Sequence, residues 1–252
     1  QKAVVEALDE HAPDGYEVGI ECTHHGPSAV GAPSMFVELG SDEPQWADPD
    51  GAAAVARAVL DLEGVAADNW SQRDGAGDSE TPRQLVGFGG GHYAPRFERI
   101  VRETPWAVGH VGADWALDAM GAPENNREVV DRAFARSNTR YAVLEADGAE
   151  LAAVIEELGY RAVRETWVRE VGERPLPLVE AIERALSTVE AGLRFGDYTV
   201  DPETVAAVGA EAAFAVVDLP DDLLAKVQGV APEIAREAVV GNTLAFETTE
   251  GA

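Results

Sequence analysis

Lysine is almost missing from this chain. Of nineteen basic residues only Lys2 and Lys226 are lysines, the rest being arginines, against forty-six Asp and Glu and a net charge of −27 over 252 residues. On charge alone, that balance argues against a nucleic-acid partner. Cysteine occurs once, at Cys22, which excludes an intrachain disulfide and a cysteine-only zinc site. Its place at the end of an apolar run reads as a small buried side chain rather than a reactive thiol. No run of about eighteen apolar residues exists, so no membrane-spanning helix is expected, and no basic segment leads an apolar one as in a secretion signal. A cytoplasmic protein is expected. The chain opens at Gln1 with no methionine, and a natural N-terminal stretch is expected to precede it. The G-x-G-x-x-G, Walker and HExxH patterns are all absent.

What is present is a globular composition, 46% hydrophobic with five tryptophans, long enough for one large domain or for a domain with an appended piece. The acids are spread along the chain among apolar positions, so a disordered acidic tail is the weaker reading. An acid-rich, lysine-poor surface over an ordinary core fits a protein adapted to molar salt, where the Debye length is about 3 Å and self-repulsion is screened.

The pattern alternates strand and helix. Helical periodicity covers 1–11, and strands are expected at 16–22 and 34–39. A helix should start near Asp50, and an acidic loop should cover 71–82. The strand RQLVGF then leads to a helix opening at Pro95, a favoured first helical residue. Further strands are expected at 106–109 and 141–145, helices at 124–136 and 149–159, and an extended segment at 160–170. Alternation of this kind implies an α/β layered domain with a largely parallel sheet over residues 1–173. A mostly helical segment, 174–252, with a short extended piece near 192–200, is expected to pack on it.

Four of the five histidines fall at the carboxyl ends of these expected strands: His24, His25, His92 and His110. Ligands in open α/β sheets bind outside that edge, so the set points to a metal or acid/base site. Neighbouring residues of an extended chain face opposite ways, so His24 and His25 are not expected to share one point. Glu38 would put a carboxylate inside an apolar strand, where it needs a partner; a buried arginine would serve as well as a catalytic site. Any one strand-end histidine also reads as an ordinary hydrogen-bonded residue.

The stretch VGFGGGHYAPRF (86–97) concentrates the question. Three glycines where a buried strand surfaces imply that something comes close to the backbone there. The helix that follows can receive an anion at its N-terminus, with Arg96 nearest the loop. Arg99 and Arg102 read better as a solvated face paired with Glu98 and Glu103. Tyr93 reads equally as a substrate contact and as a tyrosine at the edge of the core.

The blocks ECTHHGP (21–27), PSMFVELGS (33–41), VGFGGGHYAPRF (86–97) and AVGHV (107–111), in this order and at these separations, resemble the archaeal-type D-aminoacyl-tRNA deacylases, a family shared with plants. The resemblance covers roughly residues 15–115. It implies a three-layer α/β/α, phosphorylase/hydrolase-like fold with a mixed, mostly parallel sheet, similar in shape to peptidyl-tRNA hydrolases. It also implies a hydrolase, dependent on one or two zinc ions, that cleaves the ester between a D-amino acid and tRNA. On this reading His24, His92 and His110 are candidate metal ligands, and His92, Glu38 and His25 are candidate catalytic groups. Gly89, Gly90, Gly91, Tyr93 and Arg96 would bind substrate: the glycine amides at the oxyanion or terminal phosphate, Tyr93 on the terminal adenosine, Arg96 on phosphate. Members usually carry a further block upstream of the point where this chain starts. A monomer is expected. The competing classes are a nucleoside phosphorylase or metallopeptidase on the same fold, and a non-catalytic binding module with structural histidines. The charge then requires tRNA to be held by short-range arginine forks, stacking and 2′-hydroxyl contacts rather than by counterion release.

Overall fold

The apolar run expected to form a central strand does so, with all five residues of Gln84–Phe88 buried. The computed structural model describes residues 1–22, 24, 26, 30–67, 82–145, 148–220, 223, 225–226, 229 and 231–247. The loop expected at 71–82 lies outside them but for residue 82, as does His25. The chain divides into two compact units, Gln1–Val163 and Arg164–Ala252, ten residues before the expected boundary at 173.

In chain order the first unit carries α1 (Lys2–His11), α2 (Glu43–Trp46), α3 (Pro49–Leu60), β1 (Gln84–Phe88), α4 (Pro95–Glu103), β2 (Ala107–Gly112), α5 (Asp114–Met120), α6 (Arg127–Arg136), β3 (Tyr141–Leu144), α7 (Ala149–Glu157) and β4 (Arg161–Val163). The strands form a parallel sheet in the order β2-β1-β3-β4. Alternation along β1 sends its side chains to two helical layers. Val86 and Phe88 join a core with Val130 and Phe134 of α6, Ala142 of β3, and Leu151, Val154 and Ile155 of α7. Gly87 faces the other way, against Phe97 of α4, where a Cβ would come within 2.6 Å of the ring. The result is the three-layer α/β/α arrangement.

Local signals account for the helices. Asp48 accepts the Asp50 amide at 2.9 Å and Pro49 opens α3, a side-chain cap followed by a proline at the first helical position. Pro95 opens α4, whose buried Phe97, Ile100 and Val101 recur at helical spacing. Lys2, one of the two lysines, is buried and donates to the carbonyls of Val101 and Thr104. It thereby satisfies oxygens that the end of α4 leaves over. Burial pushes its ammonium down from the usual lysine value, against the pull of Glu6.

Three expectations need correction. Residues 16–22 and 34–39 form no strand; residues 20–22 make only an antiparallel bridge, Glu21 to Tyr93. His110 stands inside β2, level with Val86, rather than at its end. Of the segment 160–170 expected to be extended, residues 161–163 form a strand but residues 165–170 are helical.

That helix, α8 (Glu165–Val171), opens the second unit. It is followed by α9 (Leu176–Ala185), β5 (Leu193–Phe195), α10 (Pro202–Val208), α11 (Pro232–Asn242) and β6 (Ala245–Glu247), with β5 and β6 antiparallel. Its fixed point is buried Glu183, which accepts from Trp167 Nε1 at 3.1 Å and from the Val189 amide at 3.2 Å. Among the described residues no helix is long and apolar enough to cross a membrane.

Candidate functional site

The carboxyl end of β1 is held from both sides. The Gly89 amide donates at 2.7 Å to the carbonyl of Gly112, the last residue of β2, and Phe88 O accepts at 2.7 Å from the amide of Glu145, just beyond β3. Gly89 and Gly90 then adopt φ of 100° and 93°, a region that side chains strongly disfavour. What approaches the backbone at Gly89 is Glu145, whose Cβ would lie 2.8 Å from an added Cβ. Gly90 is locked reciprocally to Asp114: its amide donates to Asp114 Oδ1 at 3.0 Å, and its carbonyl accepts the Asp114 amide at 2.9 Å. Gly91 has open space around it. The Gly89 and Gly90 amides are therefore engaged, and of the three only that of Gly91 lacks an acceptor among the described residues.

After the turn, residues 92–94 meet 20–22. The Cys22 amide donates to His92 O at 2.9 Å and the Ala94 amide to Ile20 O at 3.2 Å. Burial of Ile20 and Cys22 turns Glu21 outward, beside His92. Ligand atoms of Glu21, His24 and His92 all lie within 4.8 Å of one another, with all three residues exposed. Glu21 Oε2 is 3.4 Å from His92 Nε2, and the two imidazoles stand 4.3 Å apart between centroids. His24 Nδ1 lies 3.0 Å from Cys22 O. A carbonyl can only accept, so that bond puts the proton on Nδ1 and leaves Nε2 with its lone pair. Two imidazoles and a carboxylate, open to solvent, are a donor set suited to zinc with room for a water or substrate oxygen.

The other candidates lie elsewhere or play visible structural parts. His110 is not a member of the group; its ring reaches solvent from β2, yet enough protein surrounds it that desolvation pushes its pKa down. Glu38 is exposed and lines a cavity of about 70 Å³ with residues of α1 and α3. With no strand at 34–39 the carboxylate is not enclosed by a sheet. Arg96 Nη1 donates to Leu144 O and Glu145 O at 2.9 and 3.2 Å, and its Nε lies 3.0 Å from Glu145 Oε2. It ties the start of α4 to the end of β3. Tyr93 is exposed, with its ring edge-on to His92 at 5.0 Å. Cys22 is buried, and its thiol is pushed up by burial and then by the charge of Asp114, which makes it a poor nucleophile.

Two residues of this assembly escaped the sequence reading as site members. Glu21 opens the ECTHHGP block, but no pattern tied it to His24 three residues on. Asp114 had no signal, since the helix it opens buries none of its residues.

Comparison with known proteins agrees with this architecture. The sequence profile described as D-aminoacyl-tRNA deacylase matches residues 1–163, the whole of the first unit. A D-aminoacyl-tRNA deacylase of Halorubrum lacusprofundi is 56% identical over 99% of this chain and 50% of its own length. One of Haloarcula marismortui is 51% identical over 99% of this chain and 53% of its own. The chain thus spans about half the length of these curated relatives. A crystal structure described as a conserved protein of unknown function superposes with a TM-score of 0.54 at 28% identity, covering 67% of this chain and 56% of that one. The chain belongs to the D-aminoacyl-tRNA deacylase family.

Proposed function

We propose that the protein hydrolyses the ester bond of D-aminoacyl-tRNA, releasing the D-amino acid and tRNA, at a zinc centre held by Glu21, His24 and His92. The observation that carries this reading is that the family match spans the unit in which these three side chains converge beside the glycine loop. Zinc bound there would lower the pKa of a water to about 7 and polarise the ester carbonyl. The chain's own part is to fix the donors. Cys22 O orients His24, the 20–22/92–94 bridge sets His92 against Glu21, and the Gly91 amide remains to donate to a developing oxyanion. Its haloarchaeal relatives and its charge of −27 support a protein working in molar salt.

The test is hydrolysis of paired D- and L-aminoacyl-tRNA by the full-length protein at molar KCl, before and after chelation and after return of zinc. The reading expects D-selective hydrolysis that chelation abolishes and zinc restores. Full activity in metal-free protein would overturn the zinc centre, and hydrolysis of neither ester would overturn the function.

A further inference from the structure

Two large aromatic side chains stand exposed on the glycine-loop assembly. Tyr93 is 65% exposed and Trp115 48% exposed. Tyr93 follows His92 directly, and Trp115 follows Asp114, whose amide and carboxylate both bond to Gly90. The helix Asp114–Met120 buries none of its residues, so core packing does not account for a tryptophan at its second position. Single exposed aromatics are ordinary; two tethered to one short loop beside a donor cluster are not.

Among the described residues, the three arginines of the helix that follows the loop are already engaged. Arg96 is bound to Leu144 and Glu145, Arg102 to Asp9, Glu98 and the Val18 carbonyl, and Arg99 is not free either. Around the loop stand acids: Glu21, Asp114 and Glu145. A phosphate would meet repulsion here, whereas a flat neutral base would not. Stacking on aromatic rings is also insensitive to the screening of molar salt and tolerates any base.

We infer that Trp115 is a stacking platform for an unpaired nucleobase at the acceptor end of the RNA, working with Tyr93 to bring the ester-bearing ribose to the Glu21/His24/His92 group. The inference rests on the deacylase reading. It assigns the recognition of single-stranded RNA at this loop to aromatic surface rather than to charge.

The measurement is fluorescence anisotropy of a labelled single-stranded RNA of about a dozen nucleotides, ending as tRNA does, with the full-length protein at about 3 M KCl. Trp115→Ala should raise Kd about tenfold and Trp115→Phe should recover most of the affinity, the scale of one base stack. In hydrolysis assays the Trp115→Ala loss should appear mainly in KM. Unchanged Kd and KM in Trp115→Ala, with the wild type still hydrolysing D-aminoacyl-tRNA, would overturn the stacking role and leave the deacylase reading standing. A fall in melting temperature restored by Trp115→Phe, at constant Kd, would make the ring a packing element and equally overturn it. A wild type that neither binds the RNA nor hydrolyses the ester would sink both.

Discussion

Arg96 and Glu145 form an ion pair across the end of the sheet, Nε to Oε2 at 3.0 Å, while Arg96 Nη1 holds the Leu144 and Glu145 carbonyls. Glu145 in turn packs against Gly89, so this arginine braces the glycine loop from the side of β3. Removing it would strand two carbonyl oxygens and a carboxylate, at a cost of about 1–3 kcal/mol. Arg96→Ala should lower the melting temperature by several degrees. A raised KM at an unchanged melting temperature would instead make Arg96 a phosphate contact.

Asp114 acts through Gly90. Asp114→Ala removes the acceptor of the Gly90 amide, which should loosen residues 89–92 and reduce kcat by about tenfold or more, because a misplaced His92 costs orientation. Asp114→Asn keeps an acceptor oxygen and should recover most of the rate. Equal damage from both substitutions would point to the charge of Asp114 rather than its hydrogen bond.

Cys22 offers a check on burial at the cluster. Its thiol is pushed up from the ordinary cysteine value by burial and by Asp114, and the thiolate is the reactive form. Alkylation by iodoacetamide near pH 8 should therefore be slow in folded protein and fast after denaturation. Cys22→Ala should retain activity. Rapid modification of the native protein would show that the 20–22 segment opens away from residues 92–94.

These sites show what the sequence could reveal and what it could not. β1 and β3 were legible as short, almost wholly buried apolar runs, and α4 and α7 because each carries a periodic apolar face, with Pro95 marking the start of α4. Residues 16–22 carried the same alternation, and the structure honours it in burial: Ile20 and Cys22 are inside and Glu21 is outside. What alternation does not contain is a partner strand, and among the described residues the Glu21–Tyr93 bridge is the one such pairing that 16–22 makes. Residues 165–170 misled because Thr166-Trp167-Val168-Arg169 reads as a strand; burial of Trp167, Val168 and Val171 and the Arg169–Glu165 pair one turn apart make it a helix. The histidine cluster was half legible. His24 and His92 were placed on one edge as residues at the ends of expected strands, but the proximity of Glu21 depends on a pairing between segments about seventy residues apart in the chain.

The charge of −27 yields a prediction about conditions. At low ionic strength self-repulsion acts over about 10 Å, and in molar salt over about 3 Å. Thermal melts from about 0.1 M to about 3 M KCl should show a large rise in stability. A flat profile would remove the basis for salt adaptation.

The central claim is that Glu21, His24 and His92 form the hydrolytic metal centre, and His92 tests it most directly. In full-length protein, zinc content and D-aminoacyl-tRNA hydrolysis should be measured on one preparation of His92→Ala beside the wild type. The account predicts loss of bound zinc and a fall in kcat of about a hundredfold or more, with the fold retained apart from any stability due to the metal. Near wild-type hydrolysis with the metal complement intact would contradict it.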